Sequence, residues 1–222
     1  MAGPHEILGM SRLLGISTME FLALYSDNSG TTLRSEADGR CVFLTPSGCK
    51  VHPRRPLVCR LYPLGRKIDG TGVERFAFYS LQPDCGATAG RDGTVETFLA
   101  SQGVEPYLEW ARRYGELYRR MIGLLGRLDV VGRVEAPPAA APTSDAPALA
   151  APASDEPPAA APIPDREPLS SWQDIDQSLS EYCAAKGLTV PEGIEESIAL
   201  HLRALEEWLC DLESRSSSAQ DP

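Results

Sequence analysis

The chain has 222 residues, 42% of them apolar and 23% charged, with a net charge of −10 and six cysteines. That apolar share supports a folded domain plus something smaller, and it excludes a wholly disordered polymer. Residues 1–133 hold 17 Lys and Arg against 14 Asp and Glu, whereas 134–222 hold 4 against 17, so the acidity is C-terminal and argues against a nucleic-acid partner.

Near Met1 there is neither the basic start nor the apolar run of a secretory signal, and no stretch reaches the ~18 apolar residues of a membrane span. The protein is therefore expected to be cytoplasmic, with no membrane partner. Thiols there stay reduced, so clustered cysteines point to metal or redox chemistry rather than disulfides.

Two short helices are predicted first. Ile7, Leu8, Met10, Leu13 and Leu14 give the first an apolar face that Gly15 ends, and Ser17-Thr18-Met19-Glu20 is a capping box opening a second through Phe21, Leu22 and Tyr25. Asp27-Asn28-Ser29-Gly30 stops it. From 31 to 90 the helical period gives way to β-like runs at Cys41–Thr45, Gly65–Asp69 and Val73–Tyr79, a turn-rich region with little core that calls for a staple. A long helical pattern covers 94–129, with Phe98 and Leu99 in its first piece, then Tyr107, Leu108, Ala111, Tyr114, Tyr118, Met121, Leu125 and Leu128 as the core stripe.

Residues 134–168 contain ten prolines and twelve alanines, the composition of a disordered linker. Two amphipathic helices are expected at 169–214. Trp172, Ile175, Leu179 and Cys183 line the first, and Ile198, Leu202, Leu205, Leu209 and Leu212 line the second. Their seam spans about two heptads, too short to associate strongly alone, so the pair is expected to dock on another surface or on its own copy. Cys183 and Cys210 read as buried small hydrophobes. The organisation that follows is α+β: a loop-rich cysteine-cluster domain with a long C-terminal helix at 1–133, the linker, an acidic helical hairpin at 169–214, and disorder at 215–222.

The remaining cysteines form a constellation of Cys41, Cys49, Cys59 and Cys85, with His52 inside it. Four thiolates, or three with an imidazole, satisfy tetrahedral zinc, and four cysteinates equally hold an iron–sulfur cluster. Gly48 beside Cys49, Gly86 beside Cys85, and Pro53, Pro56 and Pro63 around Cys59 provide the tight turns that metal knuckles use. Arg54, Arg55, Arg60, Arg66 and Lys67 are placed to lower thiol pKa values.

Cys41-Val-Phe-Leu, Cys49-Lys-Val-His52, Arg55-Pro56-Leu-Val-Cys59-Arg60-Leu-Tyr62-Pro63 and Cys85-Gly86 together resemble the YkgJ-type cysteine-cluster family, a zinc- or iron-chelating domain sometimes described as iron–sulfur-containing. The resemblance spans residues 5–90 and implies that Cys41, Cys49, Cys59 and Cys85 are ligands. His52 stands where relatives often carry an aromatic residue, which leaves it as a ligand or as a packing or hydrogen-bonding histidine. Arg55 is expected to bond turn carbonyls and Tyr62 to pack beside Pro63. The family's closely spaced N-terminal cysteines are absent before Cys41, so either the site uses four ligands or the reading frame opens upstream of Met1; the second is expected. Metal binding without catalytic machinery is the function expected. The alternatives are an iron–sulfur enzyme resembling flagellin lysine methylases, and an adaptor acting through the C-terminal helices.

Overall fold

The computed structural model describes residues 2–27, 32–69, 71–79, 93–127 and 172–218. Cys85, Gln82-Pro83-Asp84, the stop at Asn28-Ser29-Gly30, Leu128 and the predicted linker at 134–168 lie outside the described residues. Among those described are seven α-helices and six short strands, the strands in three antiparallel pairs and no closed sheet.

Helix α1 (Pro4–Leu14) buries Ile7, Leu8 and Met10 completely and ends at Gly15, whose φ of 71° is the left-handed cap a glycine supplies without strain. Helix α2 (Thr18–Tyr25) opens on the expected capping box: the Ser17 hydroxyl accepts from the Glu20 N–H, and the Glu20 carboxylate accepts from the Ser17 N–H. Strands β1 (Ser26–Asp27) and β2 (Thr32–Leu33) pair, as do β3 (Leu44–Thr45) and β4 (Gly48–Cys49). Phe43 and Val51, each 1% exposed, pack with Ile7, Met10, Phe21 and Leu22. The turn-rich segment is thus anchored on α1 and α2 by two apolar side chains, where the sequence suggested that it had little core.

One turn of 3₁₀ helix (His52–Arg54) leads to α3 (Leu57–Leu61), and a cis Tyr62–Pro63 bond leads to a hairpin of β5 (Leu64–Ile68) and β6 (Glu74–Phe78). The predicted long helix is broken: α4 (Val95–Ser101) and α5 (Glu105–Arg127) are separated at Gly103, φ 58°. On α5, Tyr107, Leu108, Tyr114, Leu117 and Leu124 are buried, whereas Tyr118, expected in the core, is 48% exposed and stacks on Trp172.

Helices α6 (Ile175–Lys186) and α7 (Ile194–Ser218) do not stand apart. Ile175, Leu179, Ile198, Leu202 and Leu209 share one core with Leu8, Tyr114, Leu117 and Leu124, so the hairpin docks on α1 and α5 of the same chain. Helix α7 runs on through Ser218, past the limit of order expected at residue 214. Cys183 is buried as read, but Cys210 is exposed because it falls on the outer flank of α7, where its sulfur accepts from Arg120 Nη2 at 3.6 Å. No single described helix is long and apolar enough to cross a membrane.

Candidate metal centre

Three of the five predicted ligands are held by three different pieces of local structure. Cys41 lies in an isolated bridge with Ser35, and its carbonyl accepts from the Leu44 N–H at 2.9 Å. Cys49 pairs with Leu44 across the β3–β4 turn, which Gly48 closes at φ 113° while the Thr45 hydroxyl donates to its carbonyl at 2.8 Å. Cys59 sits in the middle of α3.

Ten and eighteen positions of chain separate Cys59 from Cys49 and Cys41, yet the three thiols lie within electrostatic reach of one another. Burial pushes the Cys59 thiol up, although its side chain reaches the surface, and the thiolates of Cys41 and Cys49 and the Glu6 carboxylate push it further; Arg55 opposes them. Cys49 is raised in the same way, first by burial and then by Cys41, against the Val51 N–H and Arg55. The sequence reading had the surrounding cations lowering these thiols. The correction has a geometric cause, because two of the five cations are committed elsewhere.

Arg60, 8% exposed, turns away from the thiols: its guanidinium donates to the carbonyls of Arg55, Pro53 and Gln102 and to the Tyr107 hydroxyl at 2.8 to 3.1 Å. Arg66 is paired with Glu74, which Arg112 also binds. Arg55 acts on Cys49 and Cys59, and it also donates to the His52 carbonyl at 2.8 Å and to Gln102 Oε1 at 2.7 Å. The two arginines of the Arg-Pro-x-x-Cys-Arg stretch therefore clamp α3 to the α4–α5 turn. Tyr62 is 47% exposed beside the cis bond to Pro63.

His52 is exposed, with Nδ1 3.4 Å from Arg55 Nη1, which leaves Nε2 as the nitrogen open to a metal. Among the described residues no group of three or more His, Cys, Asp or Glu side chains is gathered tightly enough to hold an ion. The donor set fits a soft or borderline divalent metal by chemistry, three thiols that repel one another when ionised and are relieved by a cation between them. Among the described residues they are not gathered into a closed shell, and Cys85, the fourth thiol, lies outside those residues.

Sequence reasoning missed Glu6. It is buried beside Cys59, Oε1 accepting from the Leu57 N–H at 2.5 Å and Oε2 from the Gly3 N–H at 2.6 Å. Burial raises its pKa against those two bonds and the nearby Arg60. The signal available was an acidic residue in the first turn of a helix, which is ordinarily a solvated cap.

Residues 10–86 match the model of the CxxCxxCC family, described as a "putative zinc- or iron-chelating domain". This segment is similar to that family. The match takes in the end of α1 and every element from α2 through β6, with Cys41, Cys49, Cys59 and Cys85 inside it, and these four are its only cysteines. A CxxCxxCC run is not among them. The core around the matched segment extends beyond it, since Leu57 and Leu61 of α3 pack on Val104, Tyr107 and Leu108. No curated protein and no solved structure matches the chain.

Proposed function

We propose that the CxxCxxCC domain binds one zinc or iron ion, or an iron–sulfur cluster, through the thiolates of Cys41, Cys49, Cys59 and Cys85, as a structural or carrier site with no catalytic group of its own. His52 is an auxiliary donor through Nε2. The observation that carries this reading is the match of residues 10–86 to a zinc- or iron-chelating family model with these four cysteines inside it, and the upward push of Cys41 and Cys49 on the Cys59 thiol supports it. Mutual repulsion among thiolates weakens an empty site, and a cation reverses that sign, so binding is coupled to proton release and to local folding.

The test is elemental analysis and absorption spectroscopy of the anaerobically purified full chain and its single Cys→Ser variants. About one metal per chain in the parent is expected, at the tetrahedral stoichiometry of such sites, together with its loss in Cys49→Ser and Cys59→Ser. A colourless zinc protein identifies a structural site; sulfide-type visible absorption with iron identifies a cluster. Absence of bound metal in the parent, or full metal content in all four cysteine variants, sinks the reading.

A further inference from the structure

We propose that Glu6 is the positioning residue of the metal centre, its carboxylate fastening the first turn of α3, and with it Cys59, to the N-terminus of α1. The inference rests on the assignment of Cys59 as a ligand. Helix α3 has five residues and begins after Pro56 with no side-chain cap of its own, so it cannot hold its shape unaided and its leading N–H groups need an acceptor. Glu6 supplies that acceptor from 51 residues away in the chain, at 2.5 Å from the Leu57 nitrogen and with 4% of its surface exposed. Its second oxygen is committed to the Gly3 N–H at 2.6 Å, which fixes the carboxylate from the other side.

A carboxylate accepts and does not donate, so it satisfies two N–H groups at once; a carboxamide in its place sets an NH₂ against one of them. The far end of α3 is held independently by Arg60, through the carbonyls of Pro53 and Gln102. Loss of the Glu6 bond therefore leaves α3 attached but frees its first turn, two residues before Cys59. Groups that orient a metal ligand in this way change affinity by about 10–100-fold when removed.

The experiment titrates the full chain anaerobically with cobalt(II) against a competing chelator, in the parent, Glu6→Gln, Glu6→Asp and Leu202→Ala. Glu6→Asp keeps the charge but, one methylene shorter, cannot span both N–H groups. Both Glu6 variants are expected to bind cobalt(II) about 10–100-fold more weakly, with displaced sulfur-to-cobalt charge-transfer bands. Leu202→Ala loosens the helical core that Leu8 of α1 also joins while leaving both Glu6 bonds in place, and is expected to weaken binding far less and to leave the bands in place. Parent-like binding by Glu6→Asp, or equal weakening by Leu202→Ala, overturns the positioning role while leaving the metal centre intact. A parent that binds no cobalt(II) overturns the metal centre, and this inference with it.

Discussion

His5 and His201 are buried imidazoles at the seam where α1, α5 and α7 meet. His5 lies face to face with Tyr114 at 5.4 Å between ring centres, and His201 Nδ1 is 2.8 Å from the Tyr114 hydroxyl. Both nitrogens of His5 and Nε2 of His201 have no hydrogen-bond partner among the described residues. Burial holds both rings neutral, lowering His5 to about 3 and His201 to about 4 from an ordinary 6.5. Below pH 6.5 the unfolded chain takes up protons that the folded chain excludes, so stability falls with pH by about 1.4 kcal/mol per unit for each ring until its folded value is reached. Urea titrations at pH 7 and pH 5 are expected to show this loss, and His5→Phe, which keeps the stacked ring, is expected to show a shallower loss than the parent. Parallel pH dependences would mean that His5 is not a buried neutral base. Neither this role nor that of Glu6 was legible in the sequence, because a His-Glu pair at a helix start looks like ordinary solvated capping. Burial there is decided by α5 and α7, roughly one hundred and two hundred residues further along the chain.

At the scale of elements, the hairpin of β5 and β6 shows what period and turn chemistry can fix. Its runs were readable at Gly65–Asp69 and Val73–Tyr79 because alternation and Asp69-Gly70 mark two strands and a turn, and the register pairs Arg66 with Phe76 and Ile68 with Glu74. What the runs could not show is the tie to α5. Glu74 binds Arg66 and, at 2.9 and 3.1 Å, Arg112 of α5, and these bonds hold its carboxyl at about 2 even against burial. The sign follows: the stabilisation is full above the ordinary carboxylate value of 4.5 and fades as pH falls toward about 2. Glu74→Gln is expected to cost about 1–2 kcal/mol at pH 7, since charge-assisted bonds exceed neutral ones while Arg112 is partly solvated. Thermal melts at pH 7 and pH 3 check it: the gap between parent and variant should narrow in acid, and an equal gap at both would assign the effect to shape rather than charge. The same limit explains α5. Its three-and-four spacing was plain, but Leu117 and Leu124 rather than Tyr118 face inward, because within the unbroken α5 the buried stripe steps by three from Tyr114 to Leu117, where the expected stripe stepped by four to Tyr118.

At the scale of the molecule, the acidic C-terminal helices are a structural partner of the basic front half. Arg12 of α1 is bonded to Asp176, and Arg120 of α5 to Glu213. Helices α2 and α6 also cap each other: the Thr18 N–H donates to Asp176 at 2.8 Å, and the Thr18 hydroxyl donates to Asp174, itself the N-cap of α6. Composition revealed the charge asymmetry but not the pairing, which depends on which faces meet across the intervening chain. The consequence is testable by removing 134–222. That deletion strips cover from Leu8, Tyr114, Leu117 and Leu124, none more than 8% exposed in the full chain. Large apolar side chains lose about 1.5–3 kcal/mol each on such exposure, a sum comparable with the entire stability of a domain. The 1–133 fragment is therefore expected to lose near-ultraviolet circular dichroism and to aggregate on size exclusion, and to bind metal less well because α5 no longer seats the turn that Arg55 and Arg60 grip. A soluble, folded fragment with unchanged metal content would instead make the helical pair a separable module, as an adaptor acting through it requires.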